Sequence, residues 1–179
     1  MSNSLEQVRG LVARGEVRVS LHGYEELATD GITVRDAVDG LAAAVLVQDY
    51  PDHPRGPCLL VLEKDGGGRP IHVVWGIQAG QVTPAVLITA YKTRPREVGR
   101  DMAEEARMSG RSTRRLVREG EFVAEVEVEL VEAQGGWTPY LSLPDAYKLD
   151  NVREALRAGD IGRASQLADR VYRLTPVQG

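Results

Sequence analysis

The chain has 179 residues, of which 42% are hydrophobic and 27% charged, and its formal net charge is −4. This composition excludes wholesale disorder and fits either one domain or two small domains. The negative net charge argues against a general polyanion binder, but it is compatible with a local basic patch. The only cysteine is Cys58, which excludes an intrachain disulfide and a cysteine-based zinc cluster.

The N-terminal segment is charged and amphipathic, without the continuous apolar core of a signal peptide. No apolar run in the sequence approaches the length that a membrane-spanning helix needs. We therefore expect a cytoplasmic protein with no membrane partner.

The first half of the chain begins with short helices and one strand. Apolar residues at helical spacing predict a first helix that stops near Gly15, followed by a strand at Val17–Ser20 and a helix at 21–31. Thr33 and Asp36 have the spacing of a capping box, which predicts the start of another helix.

Extended and mostly apolar runs dominate the sequence from residue 44 to residue 91. Four strands are predicted, at 44–50, on either side of the glycine turn 66–68, and at 85–91. Helices followed by hairpin-linked strands indicate an α+β fold with a mostly antiparallel sheet. The strands are too apolar for an exposed sheet, so we expect the helices to cover one face.

Four motifs occur in order between Val17 and Pro95, namely SLHGYEELATDGITVRDAV, VLVQDYP, RPIHVVWGI and VLITAYKTRP. Together they resemble a widespread family of small bacterial toxin-like domains of uncharacterised function, within the RelE superfamily and close to the BrnT toxins. The resemblance implies a RelE-like α+β domain at residues 1–95. It also implies an endoribonuclease of the mRNA interferase type, which acts on RNA without a metal or cofactor.

This family typically has a histidine followed by Glu-Arg, and later an Arg-Gly-Ile motif. The matching residues here are His22, Glu25, Gly31 and Ile32. Glu26 and Asp30 stand where the family usually has arginines, so two positive charges are replaced by two negative ones. The alternative function is therefore a non-enzymatic binding or autoregulatory module built on a degenerate toxin fold.

The second half of the chain begins with a clearly alternating strand at Phe122–Val131. One face of this strand is apolar, and the other is acidic because it carries Glu125, Glu127 and Glu129. Trp137 and Tyr140 are expected to anchor a small core.

A helical pair is predicted within residues 149–174, and the final VYRLTP is expected to be a strand or an extended tail. Asp150 is the expected N-cap of its first helix, Gly159 ends that helix, and Asp160 caps the second. The fold of this half is therefore expected to be a small unit of one strand and two helices.

The segment from Met108 to Gly179 resembles a short partner protein that is encoded beside toxins of this family and is presumed to be an antitoxin. The motifs that carry this resemblance are REGEFVAEVEVELVE, GWTPYLSL, KLDNVREALRAGDI and RVYRLTP. The chain is thus interpreted as a toxin–antitoxin fusion. The toxin-like domain is 1–95, a basic and partly helical linker is 96–118, and the antitoxin-like domain is 119–179.

Ribonucleases of the RelE type transfer protons at the RNA 2′-hydroxyl and stabilise the charge on the adjacent phosphate. Histidine suits the proton transfer because its unperturbed pKa lies near neutrality. The predicted catalytic residues are His22, Tyr91, Lys92 and Arg94, which we expect to converge at the end of strand 85–91. His72 and Thr89 are predicted RNA contacts, although the strand pattern favours a His72 that is satisfied within the sheet. No metal site is predicted, because one histidine beside two glutamates is a weak signal.

The stretch from Lys92 to Arg118 has nine basic residues against four acidic ones. On a helix, one face would carry Arg111, Arg114, Arg115 and Arg118. These arginines are candidates for contacts with operator DNA. The alternative is a solvated linker between the domains.

The alternating strand also suggests how the second half restrains the first. Its unpaired edge is expected to dock beside the toxin-like domain and extend the sheet, within one chain or between the chains of a homo-oligomer. The acidic face would then oppose Lys92 and Arg94 in place of RNA phosphates. The alternative is a small independent sheet with a solvated acidic face.

Overall fold

A computed structural model describes residues 3–92, 112–132, 135–137 and 139–176. The described part of the first half contains three α-helices, a short 3-10 helix at Leu41–Ala43 and five strands. In chain order these are α1 (Asn3–Ala13), β1 (Val17–Ser20), α2 (Leu21–Asp30), α3 (Val34–Gly40), β2 (Val45–Tyr50), β3 (Cys58–Lys64), β4 (Pro70–Ile77) and β5 (Ala85–Lys92).

The described part of the second half contains four strands and two helices. They are β6 (Ser112–Glu119), β7 (Phe122–Val131), β8 (Tyr140–Ser142), α4 (Leu143–Arg157), α5 (Ile161–Leu167) and β9 (Arg170–Arg173). No described helix combines the length and the apolar character needed to cross a membrane.

All nine strands belong to one sheet, in the order β2-β3-β4-β5-β1-β8-β7-β6, with β9 paired to β7. The β1–β5 pair is parallel, and the other described pairs are antiparallel. This confirms the predicted α+β fold with a mostly antiparallel sheet. The second half extends the sheet of the first, as the sequence predicts, but through β8 rather than β7.

The helices cover one face of this sheet, which we call the inner face. A single hydrophobic cluster runs from Leu5 in α1 to Ala164 in α5 and includes the inner-face residues Val73 and Val126. We call the opposite face the outer face. There, Trp137 and Tyr140 of the second half pack in a smaller cluster with residues of the first half, namely Cys58, Val74, Val86 and Ile88. Both halves therefore contribute to the same cores.

Several local signals in the sequence correspond to the observed elements. Thr33 and Asp36 form the predicted capping box at the start of α3. Gly159 has a φ of 72°, and the Asp160 side chain caps α5 by accepting a hydrogen bond from the Arg163 N–H. These features are local, since each depends on residues within one turn of each other.

The predicted helix through the arginines of residues 111–118 is wrong for the described part, because Ser112–Glu119 forms strand β6. β6 pairs along its whole length with β7, and Gly120, with a φ of 58°, lies in the tight turn between them. A two-residue connection that contains glycine is typical of a β-hairpin. The second structural unit therefore includes residues that were predicted to belong to the linker 96–118.

Asp150 is not the N-cap of a helix, as the sequence suggested. Helix α4 begins earlier, where Ser142 caps it by accepting a hydrogen bond from the Asp145 N–H and proline follows in the first turn. Asp150 thus lies in the middle of α4, on its buried side.

Glu63 is a carboxyl group buried on the inner face, where only 3% of the residue is exposed. Its Oε1 accepts a hydrogen bond from Trp75 Nε1 at 3.2 Å, and its Oε2 has no partner among the described residues. Burial raises the pKa of Glu63 to about 8, against the opposing effect of the Trp75 hydrogen bond. The folded protein therefore holds this carboxyl group in its neutral form at neutral pH.

We expect Glu63→Gln to raise the melting temperature by about 5–10 °C at pH 9 and to change it little at pH 5. Because the folded pKa lies above the unfolded one, the contribution of the protonated carboxyl is present at low pH and is lost as the pH rises through about 8. Calorimetry at pH 5, 7 and 9 measures the effect, with Glu154→Gln on the exposed side of α4 as the control. If Glu63→Gln changes the melting temperature by the same amount at all three pH values, the raised pKa of Glu63 is contradicted.

Candidate functional site

The outer face carries a pair of stacked rings at the end of the first half of the sheet. His72 of β4 lies directly opposite Tyr91 of β5, and their ring centroids are 5.4 Å apart with an interplanar angle of 29°. Thr89 lies opposite Val74 and shares a face with Tyr91. The structure therefore brings together three residues that the sequence predicts as RNA contacts or catalytic residues.

Around these rings the described residues leave the outer face open towards the edge strand β2. The aligned residues of one row across the sheet are Val45, Leu62, His72 and Tyr91. Val45 and Tyr91 are exposed, and Leu62 and His72 are half-buried. Partial burial, with a smaller effect of Tyr50, raises the pKa of Tyr91, so its hydroxyl stays protonated and can donate a hydrogen bond.

His22 does not join this group. It lies in the first turn of α2, where its side chain is 74% exposed and its Nε2 is 3.9 Å from a carboxylate oxygen of Glu26. The start of α2 packs closely on the middle of β5, because a Cβ built at Gly23 would meet the carbonyl oxygen of Ile88. The other end of α2 lies at the end of β5, where Asp30 contacts Lys92. Since eight residues of helix span about 12 Å, His22 lies well away from the end of β5. The predicted convergence of His22 with Tyr91 and Lys92 is therefore wrong.

Lys92 lies at the end of β5 but not with Tyr91. Strand alternation directs the two side chains to opposite faces, and a Cβ built at Gly31 would be 3.9 Å from Lys92 Nζ. The Lys92 N–H donates a hydrogen bond of 2.8 Å to Asp30 Oδ2. Asp30 thus connects the end of α2 to the end of β5. Arg94 lies outside the described residues.

The acidic residues of β7 do point to the outer face, because Ala124, Val126 and Val128 point to the core. Their neighbours, however, come from the second half itself. Glu127 lies opposite Arg114 of β6, and Glu125 lies opposite Arg170 of β9. The hydroxyl of Tyr172 donates a hydrogen bond of 3.2 Å to Glu125, and the hydroxyl of Ser112 donates one to Glu127.

The sheet register keeps these glutamates away from Lys92. The aligned residues across β5, β1, β8 and β7 are Leu87, Val19, Leu141 and Leu130. Because β5 and β7 run in the same direction, Lys92 lies five residues beyond this row and Glu129 lies one residue before it. This separates them by about 20 Å along the strands. The acidic face therefore does not cover Lys92, since β1 and β8 lie between β5 and β7.

The arginines of β6 are divided between the two faces because they lie on a strand. Arg114 and Arg118 point outward, whereas Arg115 points to the same side as the buried Val117 and forms an ion pair with Glu25 of α2. Arg111 lies outside the described residues. The single arginine face that was expected to contact operator DNA is therefore not formed by the described arginines.

Asp150 forms a buried polar contact between the two halves that the sequence did not reveal. Its Oδ2 accepts a hydrogen bond of 2.7 Å from the N–H of Val34, the first residue of α3. Its Oδ1 accepts one of 3.3 Å from the Tyr24 hydroxyl, which in turn accepts a 2.6 Å hydrogen bond from Arg153. A carboxylate of the second half thus caps a helix of the first.

Burial raises the pKa of Asp150 to about 6, although the Val34 hydrogen bond and Arg153 act in the opposite direction. Burial also raises the pKa of Tyr24, so its hydroxyl remains a donor to Asp150. Within the described residues, no three histidine, cysteine, aspartate or glutamate side chains are grouped so that they could hold a metal ion.

Part of the first half is similar to a known protein family. Residues 19–92 match the model of a family described as a domain of unknown function, DUF4258. The match begins within β1, ends with β5 and contains both His72 and Tyr91. The chain matches no curated protein and no solved structure. The part of the first half that carries the paired rings is therefore similar to the DUF4258 domain.

Proposed function

We propose that this chain is a non-enzymatic RNA-binding module, in which a toxin-type domain binds single-stranded RNA on its outer face and is permanently paired with a fused antitoxin-like partner. The observation that carries the proposal is the stacked His72–Tyr91 pair on an open sheet face. The expected ligand is the RNA that the resemblance implies, but the bound RNA is not cleaved.

The chemistry of the outer face supports a stacking role. Unpaired RNA bases stack on aromatic and histidine rings, and such stacking is tolerant of sequence. Tyr91 and His72 offer two rings in one row, and the Thr89 hydroxyl lies on the same face. The apolar residues around them would favour bases over phosphates as the contacting part of the RNA.

The extensive contact between the two halves supports permanent pairing. The second half continues the sheet through β8, shares the inner core, and covers part of the outer face with Trp137 and Tyr140. The buried Asp150 carboxylate would be left without its partners if the halves separated. Removing one partner from such a buried polar network is costly, so dissociation would be strongly disfavoured.

The separation of the charged residues supports binding without cleavage. Cleavage of the RelE type needs a cation at the phosphate together with groups that transfer protons. The Lys92 side chain points to the face opposite that of Tyr91. His22 lies at the start of α2, whereas the end of α2 contacts Lys92. Glu26 and Asp30 contribute negative charge where the family pattern has arginines.

An endoribonuclease held inactive by its fused partner is the second candidate. It is favoured by the contact of His72 with Tyr91, because the imidazole could accept a proton and the phenol could donate one. The two candidates predict the same RNA-binding face and differ in whether the bound RNA is cut once the restraint by the fused half is loosened.

We expect Tyr91→Ala to weaken the binding of a fluorescein-labelled, 12-nucleotide single-stranded RNA by about 5-fold to 150-fold. Loss of stacking on one aromatic ring costs about 1–3 kcal/mol, which corresponds to this range. His72→Ala is expected to have a similar effect. Fluorescence anisotropy titration of the full chain measures both affinities.

Tyr172→Ala is the matched control, because Tyr172 is 41% exposed against 38% for Tyr91 but lies on β9 in the other half. We expect it to leave the RNA affinity unchanged. Equal affinities of the Tyr91→Ala, Tyr172→Ala and unmodified proteins would refute the proposed face. Gel analysis of RNA incubated in EDTA decides between the candidates when it is done both with the intact chain and in sub-denaturing urea, which loosens the junction between the halves. Cleavage in urea that His72→Ala abolishes would establish the enzyme, and uncut RNA in both conditions would support the binding module.

A further inference from the structure

A groove of about 520 Å³ lies where the two halves meet, away from the His72–Tyr91 pair. One wall is formed by α2, including Glu25 and Ala28, and the other by Arg114–Val117 of β6. Leu149 and Arg153 of α4 complete the lining. None of the residues assigned to RNA binding lines this groove.

The groove follows an unpaired strand edge. β6 is the last strand of the sheet, and in the described part of the chain it pairs only with β7. Four consecutive residues of β6 line the groove, and their side chains alternate between the two faces. A groove lined by consecutive residues of a strand, and not by alternate ones, runs along its edge, where backbone N–H and C=O groups point outward.

The lining combines apolar and cationic side chains. Ala28 and Leu116 supply apolar surface, since Leu116 is 68% exposed, and Arg114 and Arg115 supply positive charge. Arg115 forms an ion pair across the groove with Glu25, whereas Arg114 forms none with another described residue. The ligand chemistry that fits is therefore an extended backbone with apolar and carboxylate side chains.

The paired edge of β6 shows which kind of sequence forms a strand beside it. There it pairs with β7, which alternates apolar and acidic residues and places Glu127 opposite Arg114 and Val126 opposite Arg115. We propose that the free edge of β6 binds an extended peptide segment of a partner protein, with alternating apolar and acidic residues, as an added strand in this groove. A nucleic acid could bind the arginines, but it would not pair with the backbone edge of β6 or cover the apolar residues.

The probe is a fluorescein-labelled peptide with the sequence of residues 122–131, FVAEVEVELV, titrated into the full chain by fluorescence anisotropy. We expect saturable binding that Arg114→Glu weakens at least 10-fold. Arg118→Glu is the matched control, because Arg118 lies on the same strand and face but does not line the groove. It is expected to change the affinity less than 3-fold. A second peptide has lysine at the three glutamate positions. It should bind the Arg114→Glu protein more tightly than it binds the unmodified protein.

Backbone pairing is tested with two further peptides, N-methylated at alternate residues in the two possible phases. Only one edge of the peptide pairs with β6, so one phase should abolish binding and the other should preserve it. Equal binding of the two peptides would overturn the added strand. Competition by single-stranded RNA that disappears in the Arg114→Glu protein would identify the groove as a nucleic-acid site instead. Loss of peptide binding in the Tyr91→Ala protein would show that the groove is not a separate site.

Discussion

Replacing Trp137 by alanine is expected to lower the free energy of unfolding by about 3–5 kcal/mol. Trp137 is buried in the outer-face cluster, and a Cβ at Gly76 of β4 would lie 2.9 Å from its ring. The ring also stacks on His53 at a centroid distance of 5.9 Å. Alanine would leave a cavity where the second half covers the first, and the loss is measured by urea unfolding.

The control for this substitution is Val82→Ala, because Val82 is 73% exposed and its truncation should change stability by less than about 0.5 kcal/mol. Trp137→Leu should recover part of the loss, since leucine refills part of the cavity. If Trp137→Ala unfolds at the same urea concentration as the unmodified protein, the outer-face cluster does not hold the halves together.

Replacing Asp150 by alanine is expected to destabilise the protein by about 2–4 kcal/mol. The Val34 N–H at the start of α3 would lose its acceptor, and the Tyr24 hydroxyl and Arg153 would lose a buried partner. Hydrogen exchange should show the first turn of α3 opening more often, although this turn lies in the other half of the chain.

The pH dependence of this substitution has a definite sign. The folded pKa of Asp150, about 6, lies above the unfolded one, so its contribution is fully present at low pH and decreases as the pH rises through 6. The stability difference between the unmodified protein and Asp150→Ala should therefore be larger at pH 5 than at pH 8. Asp160→Ala, which removes an exposed cap of α5, should cost only about 1 kcal/mol at either pH. An equal cost for the two substitutions would exclude a central role for Asp150.

The sequence by itself determined most elements of this fold, because their signals are local. Strand alternation at Phe122–Val131 and the capping box of Thr33 and Asp36 both depend on neighbouring residues. The apolar strands with a glycine turn between them were sufficient to predict the β3–β4 hairpin. The α+β class followed from the order of these elements.

β6 shows where local pattern fails. Its arginines recur at helical spacing, and the helical prediction used that spacing. Pairing with β7 across the Gly120 turn outweighs it, because a strand gains a full ladder of hydrogen bonds from its neighbour. The turn residue was visible in the sequence, but its partner strand had to be considered together with it.

The candidate site was predictable only in part. Alternation placed His72 and Thr89 on strand faces, but only the register between β4 and β5 decides that His72 stacks on Tyr91. The packing of α2 along β5 separates His22 from Lys92, and Asp150 reaches α3 across more than a hundred residues of sequence. Such contacts depend on how distant elements dock, and no local period encodes that docking.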